Sequence, residues 1–250
     1  MKTLEVCCAD IDSVQAAIDG GAQRIELCTA LETGGLTPSF GLMRQARFKT
    51  ALAGVKLHVL IRERPGDYIY SDDEINTMAD DIVIAAELGC DGVVIGALND
   101  DGTIDAHAVE PLLEDAGDLN VTFHRAFDLC RDPFEALDTL SRIPKINRIL
   151  TSGLAPSAPE GAELLRQLVD KAPEHITILA GAGVNSANAA ELVRTTGVTE
   201  VHASAKARIP SSMTFRRGDV SMSAPGADEY SRYATSAAEV KAIVNSLTNL

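Results

Sequence analysis

LEVC at residues 4–7 and IELC at residues 25–28 repeat one pattern, apolar-Glu-apolar-Cys. Alternate residues of a strand face opposite sides. Glu5 and Cys7 therefore share a face, with Leu4, Val6 and Cys8 on the other, and Glu26 and Cys28 oppose Ile25 and Leu27. A face covered by helices must be apolar, so Glu5, Cys7, Glu26 and Cys28 are expected to point inward, toward the middle of a closed sheet. If the two strands pair in register, two carboxylates and two thiols form adjacent rungs.

Six further β-like runs follow, beginning at Leu57, Gly92, Val121, Arg148, Ile176 and Glu200. Counted from Leu4, the eight starts are separated by 21, 32, 35, 29, 27, 28 and 24 residues. Each gap has room for a strand, two loops and a crossover helix. The gaps also carry helix signals. Ser71 with Glu74 reads as a capping box, Asp132-Pro133 as a helix start, and Asn185-Ser186 as a cap on ANAAELVRTT. No low-complexity tether divides the chain. Eight regular units over residues 1–250 predict an α/β protein of one domain, a (β/α)8 TIM barrel; an open doubly wound sheet is the competing arrangement. Residues 206–234 show no clear periodicity and are expected to be irregular, with a closing helix over Ser236–Leu247.

The composition narrows the function. Against 36 Asp and Glu stand 22 Lys and Arg, a formal charge of −14. Such a field repels phosphate backbones and anionic membrane surfaces, which argues against nucleic-acid and membrane partners. No apolar run approaches the roughly 20 residues of a membrane span. The opening MKTLEVCCADID turns acidic too early for a signal peptide, so a reducing cytoplasm is expected, with the five cysteines mostly free.

The strands supply further inward polar residues: His58 and Arg62 on the third, Thr122 and His124 on the fifth with Asp128 beyond it, Thr151 or Ser152 on the sixth, His202 and Ser204 on the eighth. Barrel active sites sit at the C-terminal strand ends, where Cys7, Cys28, Arg62 and Asp128 fall. Glu5 and Glu26 suit a general base, His124 an acid and Arg62 an anion contact. Equally, the two carboxylates could form a structural ion network with Arg62 or Arg125. Cys7 and Cys28 admit three readings: core fillers, ligands of a soft metal such as Cu(I), or a reversible disulfide. The AGAGVN turn at 180–185 and the TSG turn at 151–153 make Ser152, Gly153, Gly181 and Gly183 candidates for anion binding. No motif indicates an organic cofactor.

Taken together, LEVC (4–7), GGAQRIELC (20–28), GGLTPSFG (34–41), IRERPGDYIYSDDE (61–74), DGVVIGAL (91–98), DGTID (101–105), TFHRAFD (122–128), RILTSG (148–153), GAGV (181–184) and VHASA (201–205) resemble the CutC family of copper homeostasis proteins. The match covers roughly residues 4 to 208. The resemblance implies a cytoplasmic TIM barrel linked to copper tolerance that assembles as a homodimer or larger homo-oligomer, with Cys7 and Cys28 as Cu(I) ligands. Ala182 stands where the family pattern has a third glycine in the GAGV turn. The residues leave open a second reading, an enzyme acting on a small anionic or phosphorylated metabolite by acid–base chemistry, with copper incidental.

Overall fold

The computed structural model describes residues 2–220, 228–248 and 250. Eight parallel strands close into a barrel in chain order: β1 (Thr3–Cys8), β2 (Arg24–Leu27), β3 (Lys56–Leu60), β4 (Gly92–Ile95), β5 (Asn120–Phe123), β6 (Ile146–Thr151), β7 (Thr177–Ala180) and β8 (Glu200–Ala203). β1 pairs with both β2 and β8, which seals the ring. Each expected β-like run is a strand. Around them lie α1 (Ile11–Gly20), α2 (Phe40–Ala53), α3 (Asp72–Glu87), α4 (Ala106–Asp115), α5 (Pro133–Ser141), α6 (Ala162–Lys171), α7 (Ala189–Thr196) and α8 (Ala237–Thr248).

The apolar side of each strand faces these helices. Leu4, Val6, Cys8, Ile25, Leu27, Leu57, Val59 and Phe123 are fully buried in one annular core with helix residues such as Val14, Met43, Met78 and Leu112. Cys7, Cys28, Leu60 and Val94 form a separate small cluster inside the barrel. The helix signals act as read. The Ser71 hydroxyl accepts from Glu74 N–H while the Glu74 carboxylate accepts from Ser71 N–H, and Asp132 caps α5 with Pro133 in its first turn. α7 begins later than Asn185-Ser186 suggests. Asn185 donates its N–H to the Asn188 side chain and receives Ala187 N–H, a local turn that competes with the helix.

Two expectations change. First, β1 and β2 do not place like residues side by side: Glu5 lies opposite Arg24, and Cys7 opposite Glu26. Strands in a closed barrel tilt and stagger, and here the stagger puts a cation beside the first carboxylate. Second, the stretch expected to be irregular contains an antiparallel pair, β9 (Lys206–Pro210) and β10 (Ser231–Thr235). β9 is exposed throughout, so it has no apolar alternation to betray it, and its partner lies more than twenty residues away in sequence. Residues 221–227 of that stretch lie outside the described residues. The arm is tied to α1 by Arg232, which bonds Asp10 and Asp12, and by Thr235 N–H, which donates to Ser13. Among the described residues, no helix is long and apolar enough to cross a membrane.

Candidate functional site

A line of alternating charge climbs the barrel. Arg148 on β6 bonds Glu200 at 2.6 Å, and Glu200 also takes Arg24 from β2. Arg24 pairs in turn with Glu5, which receives His202 Nδ1 at 2.7 Å. The other ring nitrogen of His202 stands 3.9 Å from Glu26. Glu5 is completely buried. Burial works to raise its pKa, but Arg24 and His202 outweigh it and hold the carboxyl well below the usual range. Burial likewise opposes charge on His202, yet Glu26, Cys7 and Glu5 prevail, and its pKa stands well above the ordinary value. Glu26 is raised by burial. The expected partners Arg62 and Arg125 take no part. Arg24 does instead, and the strand alternation places it on the same face as Glu26, two residues on.

At the top of this line the two strand cysteines meet. The sulfurs of Cys7 and Cys28 are 3.6 Å apart. All five cysteines are free thiols. The hydrogen bond to Cys28 and burial push the Cys7 thiol well above its usual pKa. Cys7 Sγ, a carboxylate oxygen of Glu26 and a ring nitrogen of His202 lie within 4.8 Å of one another. This three-donor group differs from the expected pair of thiols, because Cys28 contacts Cys7 and the Cys8 carbonyl but stands outside the group. With metal–sulfur bonds of about 2.3 Å, sulfurs at this spacing subtend roughly 100° at a shared ion. A linear two-sulfur site would need them about 4.6 Å apart at the same bond length. The two sulfurs therefore suit a bent pair, and one ion bound to both thiols and to His202 requires the Cys28 side chain to move toward the group that Cys7 forms with His202 and Glu26. The Glu5–His202 bond is the kind of second carboxylate contact that orients a metal-ligating imidazole.

Above the cluster opens a cavity of about 380 Å³, at the C-terminal ends of the strands, lined by Cys7, Glu26, Arg62, Tyr68, His124, His202 and Lys206 and by the 182–184 turn. All four non-glycine residues with positive φ among the described residues, Ala30, Leu154, Ala182 and Ala205, sit in loops at this end. Strained backbone gathers where function demands a particular shape.

The other candidates divide by what already holds them. Arg62 donates to the carbonyls of Thr33, Gly35 and Gly66 and lies over the Tyr68 ring, leaving its Nε–H without a partner. His124 accepts Ala126 N–H at Nδ1, so its proton resides on Nε2, which has no partner. Burial, aided by Arg62, lowers its pKa to about 3. At neutral pH it is a neutral N–H donor, not a proton-rich acid. Glu5 lies sealed beneath His202, away from the cavity wall. Asp128 is also outside that wall, and its oxygens receive Arg125, Thr151, Ser152 and Leu154. It fastens the loop after β6. The N–H groups of Ser152, Gly153 and Gly181 are likewise engaged, by Asp128, Thr151 Oγ1 and the Thr151 carbonyl. Of the four anion candidates, Gly183 alone has an N–H with no acceptor among the described residues.

Comparison with known proteins agrees with this architecture. The CutC family profile matches residues 2–207. A CutC family protein of Chromobacterium violaceum is 46% identical over 98% of both chains, and one from Bacteroides fragilis is 44% identical over 98% of this chain and 97% of its own. Among solved structures, a Streptococcus agalactiae CutC, described as a candidate copper homeostasis protein, superposes with a TM-score of 0.78 at 32% identity, covering 82% of this chain and 99% of that one. A thiamine phosphate pyrophosphorylase from Pyrococcus furiosus, at 18% identity and TM-score 0.61, shares the fold. The chain described here belongs to the CutC family.

Proposed function

We propose that this protein is a Cu(I)-binding copper homeostasis protein that holds the ion at Cys7 and Cys28 with His202. The observation that carries this reading is the pair of buried thiols 3.6 Å apart, of which Cys7 reaches the floor of an open cavity beside His202 and Glu26. Thiolate and imidazole ligands favour a soft monovalent copper over hard ions. A reducing, cytoplasmic setting suits the state of the cysteines, since all five are free. Both thiols must lose protons to bind, so loading releases protons. The cavity leaves the floor open to the ion and to whatever delivers or removes it.

An anaerobic titration against a chromophoric Cu(I) chelator tests the reading. One tightly held ion per chain is expected, weakened by a factor of a hundred or more in Cys7→Ser and by a smaller factor in His202→Ala. Unchanged affinity in Cys7→Ser overturns the site. A Zn(II) ion that Cu(I) fails to displace overturns the choice of metal.

A further inference from the structure

We propose that the mouth of the barrel is a binding site for a small organic phosphate, whose phosphoryl group is held by the backbone N–H groups of Ala182, Gly183 and Val184. This goes beyond the copper reading, and the phosphoryl group is held by atoms that the copper site does not use. Among the described residues those three N–H groups find no acceptor, whereas their neighbours Gly181 and Asn185 donate to Thr151 and Asn188. Ala182 and Gly183 hold φ values of +77° and +72°, a shape that an alanine adopts only when its surroundings enforce it.

The facing walls supply the second observation. His124 and Arg62 are 5% and 3% exposed, both line the same cavity, and each keeps one N–H without an acceptor. Buried polar groups in folded proteins are almost always paired. Along the cavity wall five donors stand without an acceptor among the described residues: three amides, the His124 Nε2–H fixed by the Ala126 contact, and the Arg62 Nε–H, while the Glu26 carboxylate faces the cavity from its floor. Five such donors on the cavity wall call for a ligand rich in acceptors at that wall. Lys206, exposed on the same wall, adds a cation, while the charge of Arg125 is already spent on Asp128. A carboxylate offers about four acceptor positions on two oxygens; a phosphoryl group has three terminal oxygens and the greater charge. The cavity equals about a dozen water molecules in volume at ~30 Å³ each, more room than a lone phosphate fills. The organic portion would extend over the floor formed by Cys7, Glu26 and His202.

The probe is inorganic phosphate, with ribose 5-phosphate as a representative ester, added to the metal-free, reduced full-length chain. Binding is read by thermal unfolding and by the His124 Nε2–H resonance in 15N-histidine-labelled protein, against chloride at matched ionic strength. Phosphate and the ester should raise the unfolding midpoint by several degrees and shift the His124 signal, with ribose inert. Lys206→Glu and His124→Phe should each weaken binding at least tenfold. Lys206→Glu is exposed and folds even if the buried substitution does not. Cys7→Ser should keep phosphate binding, and Lys206→Glu should keep Cu(I) binding, so the two proposals fail separately. No phosphate effect beyond chloride, equal binding in Lys206→Glu, or acetate matching phosphate would each overturn the inference.

Discussion

His58 projects from β3 into the barrel with its Nδ1 unpartnered. Burial lowers its pKa from 6.5 to about 3, and His124 behaves alike. A base whose folded pKa is depressed binds its proton first in the unfolded chain. Its cost is therefore absent above pH 6.5 and grows as pH falls from 6.5 toward 3, by up to about 1.4 kcal/mol per pH unit for each such histidine. His202 has a raised pKa, so its contribution is complete below pH 6.5 and changes nothing in that window. Glu5 and Glu200, both lowered, lose theirs only below about 4.5, their unfolded value. Glu26, raised by burial, acts in the opposite direction in acid. Comparing a variant with the parent removes these shared effects. Urea unfolding from pH 7 to 4.5 should show His58→Leu losing stability less steeply than the parent, by about 1 kcal/mol per unit. Parallel curves would contradict a neutral buried His58.

At the scale of elements, β4 shows how side chains reach the interior. Gly92 and Gly96 bracket this strand, and a Cβ on either would meet a histidine ring: His58 at 2.7 Å from Gly92, His124 at 2.5 Å from Gly96. The glycines are the space those rings occupy. Gly96→Ala should cost about 1–3 kcal/mol by overpacking and displace His124, seen as a shifted urea midpoint and an altered His124 resonance. Gly41→Ala, in α2 with only Ser39 Oγ as near as 4.0 Å, should instead stabilise by up to about 1 kcal/mol, a control for the substitution itself. The strand pattern was legible in the sequence because each strand packs an apolar face outward, and Glu5, Cys7, Glu26 and Cys28 were legible by their departure from it. Partner choice was not legible. Which carboxylate meets which cation depends on barrel stagger, a property of the closed sheet, so Arg24 went unassigned although it shares the Glu26 face. The free amides of 182–184 were hidden for a related reason: whether an N–H is satisfied depends on loops from β6 and β7 together. β9 lacked any apolar face to read.

On the scale of the whole molecule, Arg148, Glu200, Arg24, Glu5, His202 and Glu26 link the closed end of the barrel to its open mouth. The chain's net charge of −14 says nothing of this, because the interior pairs its charges while the surplus acid lies outside. Buried pairs of this kind are costly to break from one side. Arg24→Met leaves the buried Glu5 with His202 as its one charged partner and should destabilise the protein by about 3–5 kcal/mol, measured by urea unfolding at pH 7. A loss under 1 kcal/mol would show that Glu5 does not depend on Arg24. The same line sets the orientation of His202 at the thiols, so the interior that steadies the barrel also prepares the site at its mouth. The most direct test of that site is X-ray absorption at the copper edge on anaerobically loaded protein. The account predicts a bent Cu(I) centre with two sulfur neighbours and one nitrogen, the nitrogen lost in His202→Ala and one sulfur lost in Cys7→Ser. A copper spectrum with no sulfur neighbours, or one unchanged in both variants, would contradict it.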